Sequence, residues 1–393
     1  MKRAAELFLT VCFLSFLTAG LAATVLRRPE TISFFENRAL AAFPSCSAKS
    51  VGDGSYAAQL ETYLDDHAAL RNTLLKASVC SDLILRRPVV NGIVVTPEAL
   101  LPLRYQEAVD EAELSAQAEA MADGLKRISD TVAEYGGYYC YVAVPCQYAY
   151  FEDDYPWYLN NRSEYSRLSV SLLAQALERR GVNFLDVRAA FDAMGHPGAY
   201  GSRIDNHYTM EGAFETYRLI LERAAAETGL DFPILGREDL RFEALPNDFL
   251  GSRERRLMNI VTRDEPPVIA LPNQEIPFTR TDSGYPSPPY TYAMPATDQE
   301  FLTYELYMGH NQPNTVIDTH REELPTILIY GDSFTNAVEC VAYLSFDEMH
   351  SLDLRYYQAM SLTDYIRELQ PEVVVCIRDY EALLNTYGNG AAD

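Results

Sequence analysis

Apolar positions fall into three regimes along the 393-residue chain, and each predicts a different kind of element. The first is a nearly unbroken apolar run from Leu7 to Val25, interrupted by Thr10, Ser15, Thr18, Gly20 and Thr24, preceded by Lys2 and Arg3 and closed by Arg27 and Arg28. A membrane-spanning helix needs about 20 such residues. The run therefore predicts an uncleaved anchor or the core of a signal peptide, with Ala19, Leu21 and Ala23 near a candidate cleavage point. Its length and the closing arginines favour the anchor. A buried core helix would carry periodic polar positions, which this run lacks.

The second regime is helical. From about Tyr56 to Leu85, Leu60, Tyr63, Leu64, His67, Leu70, Leu74 and Leu75 recur at helical spacing, so one face packs inward. Val89 to Pro102 reads as a turn, a short strand and a breaker. A second helix, from about Gln106 to Tyr135, stops at Gly136-Gly137. Thereafter short apolar runs alternate with helices. Tyr138 to Pro145, Asn183 to Val187, Thr326 to Phe334 and Glu372 to Ile377 read as strands, with helices near Ser166 to Arg179 and Met210 to Glu227. Uninterrupted apolar strands are buried on both faces, so the pattern predicts an α/β fold with a mostly parallel sheet between helical layers. A segment rich in Pro, Tyr, Thr and Gly, about residues 240–311, reads as a β-rich insertion. The expected organisation is an anchor (1–28), a helical and linker segment packing on the main domain (29–105), and the main α/β domain (106–393).

Charge narrows the function classes. The chain has 32 basic and 56 acidic residues, a formal net charge of -24, which repels phosphate backbones and argues against a nucleic-acid partner. Of seven cysteines, Cys12 lies in the apolar run, and no spacing forms a CxxC metal or redox pair. Cys140 and Cys376 read as buried small hydrophobes, while Cys46 and Cys80 flank a helical segment and are candidates for a disulfide outside the cytosol.

Two motifs carry chemistry. Gly331-Asp332-Ser333-Phe334 follows the strand ILIY and precedes a helix. A serine at such a turn stands at the carboxyl edge of a parallel sheet, where backbone N–H groups at the helix start can stabilise an oxyanion. GDS is also ordinary turn chemistry. The second motif is Asp205-Asn206-His207-Tyr208-Thr209, a polar loop opening into a helix that Thr209 can cap. A serine hydroxyl needs a base, and the base needs a carboxylate to fix its tautomer. His207 and Asp205 supply both, although an isolated Asp-x-His pair is more often structural. A metal-dependent deacetylase is disfavoured because Asp332 and His207 lack a third ligand, and no cofactor is called for.

Together these elements resemble the SGNH hydrolase-like domain of the alginate O-acetylation proteins AlgX and AlgJ and the related DHHW family of bacterial envelope proteins. In that group an Asp-x-His-(Trp/Tyr)-Thr loop precedes the serine in the chain, and the same order occurs here. Glu36 to Pro44 (ENRALAAFP), Tyr63 to Asn72 (YLDDHAALRN), Asp248 to Ser252 (DFLGS) and Tyr307 to Ile317 (YMGHNQPNTVI) resemble further DHHW blocks. The resemblance implies Ser333 as nucleophile, His207 as general base and acid, Asp205 as its orienting carboxylate, and the Ser333 backbone N–H as an oxyanion donor. Two positions depart from the pattern: Tyr208 stands where Trp is common, and Cys146-Gln147 stands where relatives often place a lysine.

Substrate clues are softer. Tyr155, Trp157 and Tyr158 lie on a loop expected to leave the sheet at its carboxyl edge, and aromatic faces with polar tips suit sugar rings. Arg378, beyond the last strand, faces either the site or a structural ion pair. The expected function is a serine-dependent acyl (acetyl) transferase or esterase acting on a polysaccharide outside the cytosol. A transferase would also need a membrane partner that exports acyl groups, as the resemblance implies. The alternative is a noncatalytic glycan-binding or assembly protein on the same fold.

Overall fold

A computed structural model describes residues 2–26, 29–103, 108–159, 162–195 and 197–390. Arg27 and Arg28, the expected boundary at residue 105, the expected helix start at Gln106, and His196 lie outside the described residues. The chain divides into two compact units, Met1–Ile93 with Ser252–Thr262, and Val94–Gly251 with Arg263–Asp393.

The first unit begins with helix α1 (Lys2–Leu26). Its 22-residue apolar stretch Ala5–Leu26 is uncovered by protein. At 1.5 Å per residue that stretch reaches about 33 Å, enough to cross the roughly 30 Å hydrocarbon core of a bilayer. The single helix expected over 56–85 is two, α2 (Ser55–His67) and α3 (Arg71–Ile84), parted at Leu70, whose backbone is left-handed at φ 63°.

The break follows the end of α2, where two side chains are engaged with residues 36–41. Arg38 grips both oxygens of Asp66 at 3.0 and 2.5 Å, and the Ala41 N–H donates to the same carboxylate at 2.8 Å. The His67 Nε2 lies 3.0 Å from the Ala41 carbonyl, and Arg71 pairs with Glu36 at 2.8 Å. The ENRALAAFP and DHAALRN blocks thus interlock.

Hydrogen bonding to the Arg38 guanidinium brings the Asp66 carboxyl down to about 2. A lowered native value stabilises the fold above the unfolded carboxylate value near 3.9, and this contribution fades as pH falls towards the native value. Asp66→Asn is therefore expected to cost roughly 1–3 kcal/mol at neutral pH. In urea unfolding, the gap from wild type should close towards pH 2.

The second unit is built on one eight-stranded sheet. Its elements in chain order are α4 (Glu111–Ala133), β1 (Tyr138–Val144), α5 (Ser163–Arg180), β2 (Phe184–Asp186), α6 (Val187–Met194), α7 (Met210–Thr228), β3 (Leu240–Ala244), β4 (Val268–Pro272), β5 (Thr279–Asp282), β6 (Tyr285–Ser287), β7 (Asn314–Asp318), β8 (Ile327–Gly331), α8 (Thr335–Ala342), β9 (Glu348–Asp353), α9 (Leu362–Leu369) and β10 (Val373–Asp379). The sheet order is β6-β5-β7-β9-β8-β10-β1-β2. The steps from β9 to β2 are parallel, and the three from β6 to β9 are antiparallel.

The continuous apolar runs mark the centre. All seven residues of β1, all seven of β10 and all five of β8 are buried. Helix α4 starts at Asp110, whose side chain caps the Ala112 and Glu113 N–H groups, and presents Leu114, Ala118, Met121, Leu125, Ile128 and Val132 as one buried stripe. It packs on β1, α5 and α9, while α7 packs on α8. The proline- and tyrosine-rich stretch supplies β3 and β4, which pair with each other, and also β5 and β6, which widen the main sheet. Cys140 and Cys376 are buried in β1 and β10; Cys46 and Cys80 are exposed free thiols, not joined to each other.

Candidate active site

Strand β8 ends at Gly331, and the chain turns through Asp332-Ser333-Phe334 into α8. A Cβ at Gly331 would lie 2.4 Å from the Ile377 carbonyl oxygen of β10, so only glycine lets the turn approach the neighbouring strand. Asp332 shapes the turn: its Oδ1 accepts the Phe334 N–H at 3.0 Å and its carbonyl accepts the Thr335 N–H at 3.0 Å. The Ser333 N–H has no partner among the described residues. Ser333 is half-buried.

The Asp205–Thr209 loop is built separately and brought to this turn. Thr209 caps α7 by accepting the Gly212 N–H at 3.2 Å. Ser202 Oγ accepts the Ile204 and Asp205 N–H groups at 3.2 and 2.9 Å and donates to Glu265, which also accepts the Arg203 N–H at 2.7 Å. Burial raises the Glu265 carboxyl above its usual range, and these hydrogen bonds pull it back. Gln147, in the stretch where relatives often place a lysine, is buried and donates to the Ser202 carbonyl at 3.0 Å. It braces the loop. The Tyr208 hydroxyl donates to the Phe334 carbonyl, tying the loop to the serine turn.

The two segments meet at hydrogen-bond distance. His207 Nε2 lies 2.8 Å from Ser333 Oγ, and His207 Nδ1 lies 2.5 Å from Asp205 Oδ1. Asp205 Oδ1 also accepts the His207 backbone N–H at 3.2 Å. With the Nδ1–H donating to the carboxylate, Nε2 keeps its lone pair for the serine hydroxyl. Asp205 is 2% and His207 7% exposed, so both sit in low dielectric, while Ser333 is half-buried. The imidazole is clamped by Tyr304, stacked at 3.5 Å between ring centroids, and by Phe334 at 4.8 Å.

The other expected site residues separate. Tyr155 is a correction: it is buried, stacks on Tyr148 and donates its hydroxyl to the Pro102 carbonyl at 2.6 Å, because the short helix after β1 turns it back into the core. Trp157 and Tyr158 are exposed, 94% and 58%, and meet edge to face. Arg378 lies beneath the serine turn, 2% exposed, with Nη1 3.3 Å from Asp332 Oδ2 and further bonds to the Gly388 and Tyr387 carbonyls. That is the structural ion pair of the two readings. Removing one partner of a buried pair strands the other, so Arg378→Met is expected to lower unfolding stability by roughly 3–5 kcal/mol in denaturant titration. Sequence reasoning missed Glu265 and Ser202, which have no local signature, and marked Gln147 only as a departure from the family pattern. It also left Tyr304 without a role, though that residue lies in the tyrosine-rich stretch.

A serine in the turn after a central parallel strand, met by an Asp-x-His loop from earlier in the chain, is the arrangement that the sequence led one to expect of an SGNH hydrolase-like site. More particularly, residues 103–285 match the family model for the SGNH hydrolase-like domain of the acetyltransferase AlgX, a stretch that takes in Asp205 and His207 and stops before Ser333. Among solved structures, the fold is similar to Bacillus cereus PatB1 bearing a sulfonyl adduct, with TM-score 0.62, 17% identity, and coverage of 76% of this chain and 97% of that one. It is also similar to a DHHW family protein from Eubacterium siraeum, with TM-score 0.55, 18% identity, and coverage of 77% and 95%. At these identities the likeness is one of fold. No curated protein matches the chain.

Proposed function

We propose that this protein is a membrane-associated O-acyltransferase that moves an acyl group, acetyl in the first instance, to a hydroxyl of a polysaccharide outside the cytosol. The observation that carries the reading is the continuous relay from Asp205 through His207 to Ser333, with distances of 2.5 and 2.8 Å. The acetyltransferase family match over residues 103–285 supports transfer as the reaction class. The uncovered apolar helix Ala5–Leu26 supports placement at a membrane, and a membrane partner that exports acyl groups would supply the donor.

In the first half-reaction His207 Nε2 takes the Ser333 proton as Oγ bonds to the acyl carbon, and returns that proton to the departing donor oxygen. The Ser333 N–H faces the oxyanion that forms. In the second half, His207 deprotonates a sugar hydroxyl, which attacks the acyl carbon; the Oγ–acyl bond breaks and Ser333 recovers its proton. Water in place of the sugar makes the same site an esterase, so the acceptor that reaches Ser333 sets the outcome.

The test is to mix the full-length chain in detergent with a chromogenic acetyl ester, quench in acid and map the acetyl group by mass spectrometry. An initial burst of chromophore with acetyl on Ser333 is expected. No burst and no label on the Ser333 peptide would overturn the reading in favour of a noncatalytic module.

A further inference from the structure

A cavity of about 620 Å³ opens between α5 and α6 at the β2 edge of the sheet. This volume lies within the roughly 300–1,000 Å³ of small-molecule sites. Its walls come from just beyond the carboxyl ends of three adjacent strands: Glu152 follows β1, Asp186 ends β2, and Tyr380 follows β10. Ser333 follows the carboxyl end of β8 in the same parallel set. The β2 strand is three places from β8, roughly 15 Å at the usual strand spacing.

The chemistry inside is mixed and internally balanced. The guanidiniums are paired, Arg167 with Glu152 at 2.8 Å and Arg188 with Asp192 at 2.8 Å, so part of their pull on an anion is already offset. A third carboxylate, Asp186, accepts from the Tyr380 hydroxyl and the Arg188 N–H, leaving an excess of acceptors. Phe184 provides an aromatic wall. Ser166 lines the cavity at 2% exposure, and its Oγ is buried without a hydrogen-bond partner. A buried hydroxyl left unpaired is costly, and a ligand hydroxyl would satisfy it.

We infer that this cavity binds a neutral, hydroxyl-bearing sugar ring, stacked on Phe184 and hydrogen-bonded to Ser166, as a distal acceptor subsite. Its role as an acceptor subsite rests on the function proposed above; the ring-binding itself does not. The carboxylate excess and the occupied arginines select against uronate rings.

The test uses the full-length chain in detergent, carrying Ser333→Ala so that nothing turns over, titrated calorimetrically with cellotetraose and with a mannuronate tetramer. Saturable binding of cellotetraose is expected, with the anionic tetramer at least about tenfold weaker, equivalent to 1.4 kcal/mol. Ser166→Leu fills the floor and should weaken cellotetraose at least about tenfold; Ser171→Tyr narrows the exposed rim without touching the interior and should weaken it too. No saturable binding, tighter binding of the mannuronate tetramer, or binding unchanged by both variants would overturn the inference. Hydrolysis of a small acetyl ester by the chain with Ser333 intact reads the catalytic proposal separately.

Discussion

Ser333→Ala is expected to reduce acetyl-ester turnover by about 10⁴-fold or more, and His207→Ala to do nearly the same, because nucleophile and base act as one unit. The 2.8 Å contact between Nε2 and Oγ is the reason. Without the imidazole the hydroxyl keeps its proton, and without the hydroxyl the imidazole has nothing to activate. The double variant should therefore be scarcely slower than either single one. Initial rates on a chromogenic ester decide the matter: residual activity within tenfold of wild type in either variant would remove that residue from the mechanism. Ser333 is half-buried at a turn fixed by Gly331 and Asp332, so the alanine should leave the unfolding midpoint in place.

Asp205→Asn should lower kcat by about 10⁴-fold while changing KM little. Asp205 Oδ1 receives both the backbone N–H and the Nδ1 of His207. Both bonds converge on one oxygen, so an asparagine that keeps Oδ1 there loses the negative charge that stabilises the imidazolium, and one flipped to bring its amide N–H to Nδ1 gives up the backbone bond and demands the opposite tautomer. That tautomer places a proton on Nε2 and blocks proton uptake from Ser333. Steady-state kinetics separates this from a binding defect, since a rise in KM at constant kcat would mean that Asp205 shapes the acceptor site instead.

The sequence made the central strands legible because burial on both faces writes a continuous apolar run, as in Tyr138 to Val144 and Val373 to Ile377. It also exposed the two chemical motifs, because a glycine-bounded turn and an Asp-x-His loop are local patterns. What it hid was tertiary. The antiparallel extension by β5 and β6 comes from a stretch whose prolines and tyrosines read as an insertion. The break at Leu70 is dictated by Asp66 and His67 meeting residues 38–41, a contact that no helical periodicity contains. Tyr155 and Trp157 are two residues apart, yet one is packed on Tyr148 and the other faces water. Composition treats them alike; only the path of the chain after β1 distinguishes them. Arg378 is a further instance, since its partner Asp332 is distant in sequence and adjacent across the β8–β10 ladder.

The margins of the sheet bear on how the protein survives at high local concentration. One margin is β6, three residues long with Pro286 at its middle, and the other is β2, also three residues long. A proline lacks the donor that a neighbouring strand would need, and three residues give little ladder to extend. The long, apolar strands that would template aggregation, β1, β8 and β10, lie in the interior of the sheet order. Growth of the sheet from one molecule into the next is thus blocked at both ends, which keeps folded copies separate even where they are crowded.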